Sequence, residues 1–151
     1  MLDKLRIFQL FIVILLASQG IFYLLGIAEA MKGISVETFA NYRKAVDLVI
    51  ADRLRILYYA ALATGLVVLF LSRGNIGGKV FICSGMATLL ILVDVVLALK
   101  VNIPINETFN AYPNATADWK TLQVQWLNFA TLRGVCSFGA LISLLITWFK
   151  S

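Results

Sequence analysis

Histidine is absent from this 151-residue chain. With it go the one side chain that exchanges a proton near neutral pH and the usual ligand for haem, zinc, copper or non-haem iron. A metal would have to rest on carboxylates alone, so neither a metal nor any other cofactor is expected. Cysteine is nearly absent too. Cys83 and Cys136 fall inside apolar runs at different depths, and there is no Cys-x-x-Cys pair to serve a thiol oxidoreductase. Both read as small packing residues. Charged residues make up only 14% of the chain against 61% hydrophobic ones, which leaves no room for a soluble domain. Proline is limited to Pro104 and Pro113, both in one segment.

What is present is four long apolar stretches: Ile7 to Ile27, Leu54 to Leu71, Val80 to Leu99 and Leu127 to Phe149. Each approaches the roughly 20 residues that cross a bilayer at about 1.5 Å per residue. With their flanks the spans cover about 7–30, 53–72, 78–101 and 122–149. The expected fold is therefore all-α, a single integral membrane four-helix bundle over residues 1–151. The sequence pI of about 9.4 would suggest nucleic acid in a soluble protein. Here Lys4, Arg6, Arg73, Lys79 and Lys150 flank the spans on one side, so the excess positive charge reads as topology and no nucleic-acid partner is expected. Both termini are then cytoplasmic, as for a bacterial inner-membrane protein. The opposite loops also carry Lys32, Arg43, Lys44, Arg53 and Lys120, but they are longer and hold nearly all the acids.

Two kinds of processing signal occur in the sequence. Ala28-Glu29-Ala30 resembles a cleavage site, yet the preceding apolar run exceeds the 7–15 residues or so of a secretory signal core. Asn106-Glu107-Thr108 and Asn114-Ala115-Thr116 are glycosylation sequons, of consequence only in a eukaryotic secretory pathway.

Between the first two spans, Ser35 to Arg55 has neither Gly nor Pro, and Val36, Phe39, Ala40, Val46, Val49 and Ile50 recur at helical spacing. This predicts an amphipathic helix capped by Ser35, either running unbroken into the second span or kinking to lie in the membrane interface. Tyr42, Arg43 and Lys44 fall outside the hydrocarbon either way. Lys100 to Trp119 holds both prolines and several asparagines, and reads as an irregular outer loop, either simply well capped or in contact with a ligand.

Depth counting places Glu29 about 30 Å up the first span, Asp94 about 27 Å up the third and Arg133 about 24 Å up the fourth. Arg53 and Arg55 begin the second span at that level, with Tyr58 and Tyr59 a turn further on. A charge in hydrocarbon costs at least about 2.5–3.5 kcal/mol, so these groups are expected to face one another, Glu29 or Asp94 pairing with Arg133 and an arginine of the second span. Such a network either fixes helix register, with Arg53 and Arg55 reaching to headgroups, or walls a binding pocket beneath the outer loop. Gln9 and Gln19 read as interhelical hydrogen bonds. Ala61 to Gly65 and Ala130 to Gly134 have the small-xxx-small spacing of close helix contacts, within the bundle or in an oligomer.

The fourth span and its approach, Asp118-Trp119 through Leu122, Trp126 and Arg133, follow Asn102-x-Pro104-x-Asn106 and Phe39-x-x-Tyr42-Arg43. In that order they resemble a small four-helix membrane family that includes the fungal anthrone oxygenases. The resemblance implies a cofactor-poor bundle that holds or oxidises a lipophilic aromatic compound, with Asn102, Asn106, Trp126 and Arg133 at the matched positions. It departs at Ala130, where that pattern often has a histidine. The candidate catalytic residues are then Glu29 or Asp94 as base and Arg133 as electrostatic stabiliser. Asn102, Asn106, Trp119, Trp126, Tyr58 and Arg55 are the candidate ligand-binding residues, and no metal site is expected. The competing reading is a non-catalytic membrane subunit or a lipid- or quinone-binding scaffold. Transport ranks last, because the inner half offers only Gln9, Gln19 and Thr88 as polar lining.

Overall fold

In the computed structural model of the chain, residues 1–114 and 117–149 are described. Lys150 and the last two residues of the second sequon, Ala115 and Thr116, lie outside the described residues. The described chain is helical with no strand: α1 Leu2–Phe22, a wide π-helical turn Tyr23–Ile27, α2 Ala28–Gly33, α3 Val36–Ser72, a short turn Arg73–Asn75, α4 Lys79–Leu97, a second π-helical turn Ala98–Asn102, α5 Ile103–Asn110 and α6 Trp119–Ile146. Four continuous runs, Leu2–Gly33, Val36–Asn75, Lys79–Asn110 and Trp119–Ile146, are long and apolar enough to cross a membrane. Large apolar side chains such as Phe8, Phe11, Leu66, Phe70, Leu89 and Val135 face outward. That surface suits acyl chains rather than water, and the protein is an integral membrane four-helix bundle.

α6 packs against α1 and α4, and α3 closes the ring against the same two helices. α1 and α6 approach backbone to backbone, where a Cβ on Gly134 would stand 2.6 Å from the Gly20 carbonyl oxygen. Ala130 to Gly134 therefore serves packing inside the bundle. Both chain ends share one end of it: Arg6 Nη2 donates to Thr147 Oγ1 at 3.0 Å, and its guanidinium stacks 4.6 Å from the Trp148 ring. The Arg73–Asn75 turn lies at that same end by the up-down course of the helices. At the distal end sit α2, the first turns of α3, and α5.

Two apolar cores are stacked along the bundle axis. The first joins Ile12, Val13 and Leu16 to Ala61, Ala87, Ile91, Ala140 and Leu144. The distal one is aromatic: Phe39 packs edge-on to Phe109 at 5.2 Å and to Trp126 at 5.7 Å, with Ala28, Ala40, Ile105 and Leu127 around them.

The predicted extramembrane helix is present, with Ser35 Oγ accepting from the Thr38 amide at 3.2 Å. It runs without a kink into the second span, 37 residues in all, and docks its first turns under α5 instead of standing free. The irregular outer loop is shorter than expected, because α4 continues to Asn110 through the second π-helical turn. Pro104 cannot donate a backbone hydrogen bond and ends many helices, but in the first turn of α5, just past that widened turn, its missing donor is tolerated.

Candidate functional site

Three distal side chains from three helices close a hydrogen-bonded ring. Arg133 Nε of α6 donates to Asp94 Oδ1 of α4 at 2.6 Å, Tyr58 Oη of α3 donates to Asp94 Oδ2 at 2.8 Å, and Arg133 Nη2 donates to Tyr58 Oη at 3.0 Å. Asp94 is 1% exposed, so both of its oxygens are satisfied within the protein. Depth counting therefore matched Asp94 to Arg133, with Tyr58 a turn beyond the level given to the second-span arginines. α3 runs antiparallel to α4, which brings the first membrane turns of one level with the last turns of the other.

It failed for Glu29. That side chain is 76% exposed and bonds Lys32 Nζ at 2.6 Å on its own helix, away from the ring. The reason lies at Gly26, whose φ of 130° breaks the helical path inside the first π-helical turn, so a straight-helix count does not apply beyond it. The second-span arginines are absent from the ring as well. Arg53 is exposed, and Arg55 pairs with Asp52 of its own helix at 3.1 Å, both partners being exposed. Tyr58, not an arginine, supplies the α3 contact.

About two turns further toward the distal end lies a second cluster, built around Trp126. Its indole Nε1 donates to Asn106 Oδ1 at 2.7 Å, and Arg43 Nε reaches the same oxygen at 3.4 Å. The Arg43 guanidinium stacks 4.3 Å from the Trp126 ring and pairs with Asp47 one turn along α3. Arg43 is 5% exposed. Sequence reasoning placed it outside the hydrocarbon and left it off the site. The signal was its spacing: Arg43 stands in register with Phe39, Val46 and Ile50, on the apolar face itself, with Asp47 at i+4 as its counter-ion. Asn102 Nδ2 donates to the Trp126 carbonyl at 3.1 Å, while its Oδ1 is buried without a hydrogen-bond partner among the described residues.

Between the two cores, and touching both clusters, is a cavity of about 360 Å³. Its polar wall carries Asp94, Arg133, Tyr58, Asn102, Asn106 and Arg43; Leu16, Val46, Ile50, Leu54, Val95 and Leu99 supply the apolar wall, and Arg55 lies at the margin. The volume falls within the range of about 300–1,000 Å³ of small-molecule sites. Seven of the nine expected site residues thus line one space. Glu29 does not, and neither does Trp119, which packs between Phe109 at 5.5 Å and Tyr112 at 5.1 Å beneath α5. Gln19, expected to bond between helices, instead lines the cavity. Gln9 is buried beside Gly65, and its Oε1 has no hydrogen-bond partner among the described residues.

Chemically, the space is a slot with cations at two levels, Arg133 and Arg43, each already balanced by an aspartate. Arg133 uses Nε and Nη2 for the ring, and its Nη1 makes no hydrogen bond to the described residues. No protein-family profile, curated protein or solved structure matches this chain.

Proposed function

We propose that this membrane protein holds a lipophilic aromatic small molecule in the distal cavity, with an oxygen of that molecule against Arg133 and its rings along Trp126 and Tyr58. The observation that carries the reading is the position of the Asp94–Arg133–Tyr58 ring on the wall of a cavity of about 360 Å³ rather than in the packed core beside it. A pair that merely set helix register would be expected where the helices touch. The apolar wall favours a flat hydrocarbon framework, and the spare Arg133 donor favours a carbonyl, phenolate or enolate oxygen.

A cofactor-independent, anthrone-oxygenase-like activity is the catalytic form of this reading, supported by the resemblance of the Trp126, Arg133, Asn102 and Asn106 positions. In it an acidic anthrone loses a proton, the resulting anion reacts with dioxygen, and an anthraquinone and water result. Arg133 would stabilise the developing enolate. Asp94 would be the base only by giving up a hydrogen bond from Tyr58 or Arg133, and Glu29, exposed and paired with Lys32, does not line the cavity. The competing form is a non-catalytic subunit or a lipid or quinone holder. We further infer a bacterial inner membrane with both chain ends in the cytoplasm, on the strength of Lys4, Arg6, Arg73 and Lys79 at the terminal end.

Mass spectrometry of the detergent-purified protein for a co-purifying lipophile, followed by oxygen uptake with an anthrone, tests both forms. Turnover lost in a folded Arg133→Gln variant supports the enzyme. A bound aromatic without turnover supports the holder, and neither a co-purifying molecule nor binding of any aromatic or quinone removes the proposal.

A further inference from the structure

Within the cavity-binding reading, on which this inference rests, the course of α3 bears on how an occupant reaches the space. α3 is buried at two places, through Phe39, Ala40 and Arg43 at the distal end and through Ala61, Thr64, Gly65 and Val68 further in. Between them, over residues 44–60, none of its side chains is buried. That stretch is about 25 Å long. Its inward positions, among them Val46, Ile50, Leu54 and Tyr58, line the cavity instead.

Two polar bridges tie the stretch to the α4–α5 run. Arg43 Nε reaches Asn106 Oδ1 at 3.4 Å at the distal end, and Tyr58 Oη donates to Asp94 Oδ2 at 2.8 Å at the inner end. Between these bridges no hydrogen bond or ion pair among the described residues joins α3 to α4, and the Ala98–Asn102 turn packs on α6 rather than on α3. The residue count from one bridge to the other makes this frame about 18–22 Å long. Its edges are Ala51 and Arg55 on α3, with Leu99 and Ile103 opposite. All four line the cavity and all four are exposed, Leu99 to 56% and Ile103 to 40%. Helices packed together along this line would cover them. On the other flank of α3, by contrast, Tyr42 lies against Tyr23, and the ring of Phe22 adjoins them.

The gap also sits at a defined level. Exposed charges begin at Arg53 and Arg55 on one edge and at Lys100 on the other, while Ile56, Leu92 and Val96 just inward are exposed and apolar. It therefore straddles the line where charged surface meets acyl-facing surface.

We propose that the slot between α3 and α4 is a lateral entrance through which the cavity takes its lipophilic occupant directly from the distal leaflet of the bilayer. An occupant can then exceed the cavity in length, with an alkyl tail left among the acyl chains, whereas a closed cavity of about 360 Å³ has no room for one.

The first test needs no variant. Ethyl-anthraquinone and hexadecyl-anthraquinone are titrated against the full-length protein in phosphatidylcholine vesicles and read by saturable quenching of tryptophan fluorescence. The long-tailed probe is expected to bind within about three-fold of the short one per mole of lipid. Binding of the ethyl probe alone overturns the inference while leaving the cavity reading standing. The second test locates the entrance. Ala51→Phe and Leu99→Phe narrow its edges and should slow association and dissociation of the ethyl probe together, by about five- to fifty-fold with little change in affinity, because a tighter passage raises the barrier from both sides. Leu99→Ala should speed both, and decides the matter should the narrowed variants fail to fold. Unchanged rates, a changed affinity at an unaltered association rate, or acceleration by Phe22→Ala in place of Leu99→Ala each overturn the inference. Binding of neither probe counts against the cavity reading and this inference together.

Discussion

Removing the Arg133 guanidinium tests whether the distal ring is an ion pair whose partner cannot escape. In Arg133→Met the Asp94 carboxylate, 1% exposed, keeps only the Tyr58 hydroxyl at 2.8 Å. Breaking a buried pair from one side costs about 3–5 kcal/mol, because the surviving charge has no water to turn to. An ordinary interhelical hydrogen bond within a membrane protein averages only about 0.6 kcal/mol. The two expectations differ several-fold, and at about 1.4 kcal/mol per decade the larger one shifts the folding equilibrium by roughly 10²- to 10³-fold or more. Asp94→Asn combined with Arg133→Gln removes both charges and retains donors and acceptors, so most of the loss should return. The assay is unfolding in mixed detergent micelles with rising dodecyl sulfate, followed by helical circular dichroism, for Arg133→Met and for the cycle made of Arg133→Gln, Asp94→Asn and their double variant. A single-variant loss below about 1 kcal/mol, or a double variant whose cost equals the sum of the singles within about 0.5 kcal/mol, would refute the reasoning.

Further outcomes follow from other contacts. Gly134→Ala would drive a Cβ to 2.6 Å from the Gly20 carbonyl oxygen, so α1 and α6 must separate, with an expected loss of about 1–3 kcal/mol in the same titration. Gly26→Ala meets no neighbouring atom, yet its φ of 130° strains any other residue, so a loss of about 1–3 kcal/mol is expected there from backbone conformation alone. Asn106→Leu deprives Trp126 Nε1 of its acceptor and Arg43 of one contact, and should cost about 1–3 kcal/mol while shifting the tryptophan emission. Asp118, the N-cap of α6, is held below the ordinary carboxylate range by hydrogen bonds from the Thr121 hydroxyl and amide. Its contribution is thus complete above the ordinary aspartate value of about 4 and is lost as pH falls through the lower folded value. Faster hydrogen exchange at the Thr121 amide should appear in that acid range and be pH-independent there in Asp118→Asn, once intrinsic exchange is corrected for.

The sequence alone determined the number of apolar helices long enough to span, because a bilayer imposes a minimum length and one polarity on any helix that crosses it. The same rule placed Asp94 and Arg133 at a common depth, with Tyr58 within about a turn of it, since a straight helix converts residue count into height and buried charges must find partners. The amphipathic stretch after Ser35 was legible for an equally local reason, a cap followed by apolar residues at helical spacing. Tertiary structure decided what counting cannot reach. One left-handed glycine inside a widened turn carried Glu29 to the surface. A second widened turn let Pro104 sit inside a continuing helix, which folded α5 over Trp119 and brought Asn102 and Asn106 to Trp126. Arg43 entered the bundle because its pairing with Asp47 and its stacking on Trp126 offset the cost of burying it, a balance set by neighbours 63 and 83 residues away along the chain, Asn106 and Trp126. Depth is a property of each helix by itself, whereas facing is a property of how the helices are turned against one another, and the cavity exists only through the latter.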